Sequence, residues 1–197
     1  MRVFTTAGCR YRRLWLAVLL SLGLAWCGRC LAADASAVAL EYQVKGGYLF
    51  HFIKLVEWPE NAQPGKDRPY TIGVIGDPEV LEIIKGQMAG KSISGHPLQV
   101  QPVAADASGS GCHVLFVTHA AGKNPREILA ALHGSATLLV GEDESFAQNG
   151  GTLNFFMLNN SVKFEANPAA ADRAHLNLGS QLLKLARIVR DLPGEKK

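Results

Sequence analysis

Two short runs rich in aromatic and β-branched residues flank Asn159-Asn160, and this feature constrains the fold more than any other. Thr152-Leu153-Asn154-Phe155-Phe156-Met157-Leu158 precedes the pair and Ser161-Val162-Lys163-Phe164-Glu165-Ala166 follows it. Asparagine tolerates the left-handed backbone of a tight turn, so the segment predicts a β-hairpin. Alternation places Leu153, Phe155 and Met157 on one face and Asn154, Phe156 and Leu158 on the other. On the second strand Val162, Phe164 and Ala166 face the core, leaving Lys163 and Glu165 outward.

The residues before the hairpin extend the pattern. Thr137-Leu138-Leu139-Val140-Gly141 is an apolar run of the kind that forms a strand buried on both faces. Glu142-Asp143-Glu144 follows, then Ser145-Phe146-Ala147-Gln148 as one helical turn, stopped by Asn149-Gly150-Gly151. After the hairpin, PAAADRAHLNLGSQLLKLARIV reads as an amphipathic helix.

Upstream, Val38 to Trp58 has helical spacing: Leu49, Phe52, Ile53 and Val56 follow the i, i+3, i+4, i+7 rule, and Pro59 ends the element. Gly46-Gly47 inside that helix costs roughly 1 kcal/mol per glycine relative to alanine, which implies close packing by a neighbour or a bend. Asn61 to Arg68 is a loop. Tyr70 to Gly76 is a strand. Asp77-Pro78-Glu79 opens a helix with Asp77 as its N-cap and Val80, Leu81, Ile83 and Ile84 on its buried face. Leu98 to Val103 and Cys112 to Val117 are strands, separated by a loose loop from Ala104 to Gly111. Asn124-Pro125-Arg126-Glu127 opens a helix that runs to about His133. The order of elements predicts an α/β fold: a three-layer sandwich around a central mixed, largely parallel sheet of about six strands, with helices on both faces and the C-terminal antiparallel hairpin at one side. The expected core includes Leu49, Phe52, Ile72, Val74, Leu115, Val117, Leu139, Leu153, Phe155, Phe164, Leu182 and Leu185.

Met1 to Ala33 reads as a cleavable export signal. Arg2, Arg10, Arg12 and Arg13 lead an apolar run from Leu14 to Trp26, shorter than the roughly 20 residues that span a bilayer, and small residues follow. The expected product is a soluble periplasmic domain over 34–197. Five of the 20 basic residues, and none of the 17 acidic ones, lie in the signal, so the remainder carries net −2 and offers no basic patch for nucleic acid. Of four cysteines only Cys112 lies outside the signal, so no internal disulfide can form.

Catalytic motifs are absent. There is no GxSxG, GxGxxG, GxxxxGK or HExxH sequence. Cys112 and His113 are neighbours on a strand and point to opposite faces. No catalytic residue, metal site or cofactor is assigned. The most prominent polar cluster is Glu142, Asp143 and Glu144, placed where open α/β sheets bind ligands, at the carboxyl end of a strand. It is read either as a site for a cation or basic partner or as a capped, solvated acidic turn. Trp58 is read either as a ligand platform or as a cap on the core. Trp58, Arg68, Glu142, Asp143 and Glu144 together form a candidate ligand cleft.

Several linked stretches resemble the YfiR-like (YfiR/HmsC-type) periplasmic proteins. They are VKGGYLFHFIKLVEWP, the Gly90-Lys91…Gly95 connector, Cys112-His113 with its apolar followers, and VGEDESFAQNGGTLNFFMLNNSVKFEAN with GSQLLKLARIV. The resemblance implies a non-enzymatic regulator. The family's prototype holds an inner-membrane diguanylate cyclase inactive, and an outer-membrane OmpA-like lipoprotein sequesters that repressor. Cyclic-di-GMP signalling and biofilm control would follow, and the resemblance allows a homodimer. Cysteine pairs common in the family are missing here, so redox control does not transfer. Glu165 matches the acidic position of the family's Phe-Glu-x-Asn motif. With Phe156 and Leu158 it forms the expected partner-binding set. A periplasmic small-molecule binding protein serving a sensor or transporter is the alternative reading.

Overall fold

The computed structural model describes residues 36–104, 111–122, 125–131 and 135–192. The expected export signal lies outside these residues, as do most of the Ala104–Gly111 loop and His133.

A long helix over 36–55 (α1) opens the described chain. It stops three residues short of the expected Trp58, because Val56–Glu57 (β1) pairs antiparallel with Asn177–Leu178 (β9) as a small separate sheet. Gly46 is where α1 is approached most closely. A Cβ there would lie 2.0 Å from Gln87 Oε1 and 3.3 Å from Ile84 Cδ1, so the cost of a helical glycine is offset by close packing of a second helix. That helix is Pro78–Met88 (α2), whose N-cap Asp77 accepts from the Glu79 amide at 2.8 Å as expected.

The main sheet has eight strands, not about six. Tyr70–Ile75 (β2), Ser92–Ile93 (β3), His96–Pro102 (β4), Val114–Val117 (β5), Leu138–Gly141 (β6), Leu153–Leu158 (β7), Ser161–Ala166 (β8) and Arg187–Ile188 (β10) lie in the order β10-β8-β7-β6-β5-β2-β4-β3. The additions are β3 and β10, two residues each, too short to show periodicity. β4, β2, β5, β6 and β7 run parallel to one another and β10 runs parallel to β8, while β7–β8 and β3–β4 are antiparallel. The hairpin turn forms as predicted, with φ of 49° at Asn159 and 58° at Asn160.

Helices cover both faces. On one, Leu49, Phe52 and Ile53 of α1 and Val80, Ile84 and Met88 of α2 meet Ile72, Val74, Val114, Phe116, Val140, Leu153, Phe155 and Phe164. Phe155 stacks on Phe52 with centroids 5.7 Å apart, and Phe164 meets Phe52 edge to face at 4.9 Å. On the other face Ile128 and Leu129 of Pro125–Ala131 (α3) pack with Ile75, Leu115, Val117, Leu139 and Phe146. Phe146 is fully buried because Gly141 leaves room for it: a Cβ on Gly141 would sit 2.3 Å from the ring. The segment around it, 144–150, is a run of turns rather than the expected helical turn.

The C-terminal amphipathic helix is not continuous. Pro168–Arg173 (α4) ends at a turn where His175 has φ of 55°, β9 intervenes, and Ser180–Leu185 (α5) leads into β10. The chain gains strand pairings at both breaks, β9 with β1 and β10 with β8. With α5 stopping at Leu185, that residue is 71% exposed and drops out of the expected core, whereas Leu182 is buried.

Candidate functional site

Strands β2, β5 and β6 deliver Asp77, Thr118-His119 and Glu142-Asp143 to one end of the sheet, their carboxyl end. β4 and β5 lie on opposite sides of β2, so this is the switch point where open α/β sheets form a crevice. Here the described residues bridge the strand ends by hydrogen bonds. Thr118 Oγ donates to Ile75 O and accepts from the Asp77 amide, both at 3.1 Å. Glu142 is only 6% exposed and fully engaged: Lys45 Nζ meets Oε2 at 2.6 Å, and the Tyr42 hydroxyl and His119 amide donate to Oε1 at 3.0 and 2.9 Å. Lys45 also pairs with Glu41 at 2.6 Å, and its ammonium lies 4.6 Å from the Tyr42 ring centroid. Burial, then the charge of Glu142, pushes the Tyr42 hydroxyl well above its ordinary range, so it remains a donor. Asp143 meets His119 Nδ1, and Glu144 is exposed. The arrangement ties α1 across the strand ends.

Trp58 and Arg68 lie at the other end. The Trp58 ring packs 5.7 Å from Tyr70, the first residue of β2, and 6.2 Å from His113, just before β5. The Arg68 carbonyl accepts from His96 Nδ1 at 2.9 Å, where β4 begins. The five residues expected to line one cleft are therefore divided between the amino and carboxyl ends of the parallel strands. Sequence order hid this, because Arg68 precedes its strand, β2, whereas Glu142, Asp143 and Glu144 follow theirs, β6. Trp58 is 5% exposed, its Nε1 has no hydrogen-bond partner, and it caps the core. His113 Nδ1 accepts from the Thr71 amide at 3.0 Å, and burial, then His96, holds its pKa below the ordinary value. Cys112 faces elsewhere, accepting from Gln101 Nε2 at 3.5 Å, and burial pushes its thiol up.

The expected partner-binding set lies on the outer side of the hairpin. Leu158 is 51% exposed and Met157 48%, beside the turn. Phe156 is half-buried beneath the Arg187 guanidinium, 4.0 Å from its ring centroid. Glu165 differs from expectation: its side chain is buried rather than outward, because β10 lies against β8 and brings Arg187 over it. Arg187 Nε donates to Glu165 Oε1 at 3.0 Å, and Nη2 meets the same oxygen. Arg187 thus joins Lys163 as an exposed cation of this region, and Glu165 acts through Arg187. No sequence signal marked Arg187, since a two-residue strand has no pattern of its own. Asn154, opposite Glu165 in the register, is buried with Oδ1 unpartnered.

The described residues contain no helix long and apolar enough to cross a membrane. The model of the YfiR/HmsC-like family matches residues 42–187, which takes in both ends of the sheet and the whole hairpin. No curated protein matches the chain. Among solved structures, a conserved domain protein from Vibrio cholerae is similar at 13% identity and a TM-score of 0.48, over 60% of this chain and 54% of that one. The chain thus spans about half the length of that relative.

Proposed function

The chain belongs to the YfiR/HmsC-like family, and we propose that it is a periplasmic regulator that binds and represses an inner-membrane signalling protein, a diguanylate cyclase, and so limits cyclic-di-GMP and biofilm formation. The family's character is regulatory rather than catalytic, with a periplasmic protein as partner. Export by a cleavable signal over 1–33, a single domain over 34–197 and sequestration by an outer-membrane lipoprotein are parts of this proposal.

One observation carries it: the hairpin tip holds two large apolar side chains, Met157 and Leu158, about half exposed beside the Phe156–Arg187 stack. A paired aromatic and arginine next to apolar groups is the composition from which interface anchors are drawn. The small-molecule reading loses its expected cleft to the division of Trp58 and Arg68 from Glu142.

The test is cellular. The chain is co-expressed in a Gram-negative cell with each membrane-bound diguanylate cyclase of its host that has a periplasmic segment, and cyclic-di-GMP is measured. The proposal expects the second messenger to fall with the wild-type chain and to be restored by Leu158→Asp. Equal levels with and without the chain would refute it.

A further inference from the structure

The outer edge of β8 is covered over only part of its length. In the hairpin the pairs Leu158↔Ser161, Phe156↔Lys163 and Asn154↔Glu165 alternate with Met157↔Val162, Phe155↔Phe164 and Leu153↔Ala166. The pair that closes a two-residue turn exchanges hydrogen bonds, and so does every second pair from it. Val162, Phe164 and Ala166 therefore turn their amides and carbonyls away from β7. β10 takes up that edge at Glu165 and Ala166, and the Val189 amide donates to Ala166 O at 2.9 Å. Among the described residues no strand lies on the outer side of Val162, a residue 8% exposed. Its carbonyl receives the Tyr48 hydroxyl at 3.5 Å.

A cavity of about 460 Å³ adjoins this open stretch. Tyr48 and Phe52 of α1, Phe164 of β8, and Leu182 and Leu185 of α5 supply its apolar walls. His51 and Lys54 are its basic members, and no carboxylate lines it. Leu185, at 71% exposure, stands at its rim. Edge amides, an apolar cavity and a basic rim together match one mode of recognition, in which an extended segment adds a strand and inserts alternate side chains.

A second copy of this chain is a poor occupant. Antiparallel pairing of two β8 edges, Val162 of one beside Phe164 of the other, sets the two Lys163 side chains directly opposite, and like charges there are destabilising. We propose that this groove binds an extended segment of a different protein, one that pairs with the Val162 edge, places a large apolar side chain in the cavity and carries an acidic residue that meets Lys54. The edge borders the Phe156–Leu158 set, since Val162 pairs with Met157, but the cavity is lined by none of those residues, and the proposal does not depend on which signalling protein the chain represses.

The probe is a short capped peptide of alternating threonine and apolar residues, with a central phenylalanine and an aspartate at each end. It is titrated into the full exported chain by calorimetry, with backbone amide signals followed by nuclear magnetic resonance. Saturable binding is expected, with a shift of the Val162 amide. Methylating the peptide's strand-pairing amides, replacing its aspartates by lysine, or changing the exposed Leu185→Glu should each weaken binding roughly tenfold, as loss of one hydrogen bond or one charge pair would. Leu185→Glu should leave the melting temperature unchanged. Absence of saturable binding overturns the proposal. So does equal binding of the methylated peptide, which would mean that the cavity takes apolar groups without strand addition. Self-association of the chain that Leu185→Glu abolishes would overturn it in favour of a second copy.

Discussion

At the residue scale, the most consequential contact is the buried pair Lys45–Glu142 at 2.6 Å, with side chains 5% and 1% exposed. Two desolvated charges are tolerated because each is fully engaged, Glu142 by three donors and Lys45 by two carboxylates. Removing one partner strands the other. Lys45→Met is expected to destabilise the fold by about 3–5 kcal/mol, and Lys45→Met with Glu142→Leu should recover much of that loss. Chemical denaturation of both variants decides the matter; a double variant less stable than the single one would contradict it. Glu142 was legible in the sequence as a site of interest, but its partner was not. Lys45 sits 97 residues away, and nothing in the periodicity of α1 marks it as buried. His113 supplies a second expectation. Packed by Trp58 and Tyr70 and near His96, it holds the neutral form in the fold, with its pKa lowered by burial. The unfolded chain takes up a proton below about pH 6.5, so the contribution of His113 is present above that pH and is lost as pH falls. Melting temperature should therefore drop between about pH 7.5 and 5.5, and drop less in His113→Asn. Equal slopes would mean that other groups set the acid response.

At the element scale, the strands, the α2 cap and the Asn159-Asn160 turn were readable because each has a local cause: alternation, a capping side chain, or residues that accept positive φ. The C-terminal region was not. PAAADRAHLNLGSQLLKLARIV has helical spacing throughout, yet two strand pairings with distant parts of the chain outweigh helix continuity. The same break buries Glu165, because only with β10 in place does Arg187 lie over it. Glu165→Lys would set a cation against Arg187 in a buried position, and should loosen β10 and lower the melting temperature. Glu165→Gln, which keeps an acceptor for Arg187, should cost less. If Glu165→Lys melts like the wild type, Glu165 is not held as described.

At the scale of the whole molecule, the sheet carries two roles. Its carboxyl end is bridged by Glu142, Lys45 and Thr118 and serves to fasten α1. The hairpin tip, which projects beyond that same carboxyl end because β7 runs parallel to β6, displays apolar groups and a cation on aromatic support. The three-layer layout was foreseeable from element order, since alternating strands and helices bury a parallel sheet on both faces. Which ends of which strands meet was not, and the expected ligand cleft failed for that reason. In the proposed function the hairpin surface captures a membrane signalling partner. This capture is tested most directly by calorimetric titration of the cyclase's periplasmic segment against wild type, Phe156→Ala and Leu158→Asp, with melting temperatures taken in parallel. Saturable binding to wild type is expected, with at least roughly tenfold weaker binding to each variant and a melting temperature for Leu158→Asp unchanged from wild type. Unaltered affinity in both variants, or affinity lost only in step with melting temperature, would contradict it.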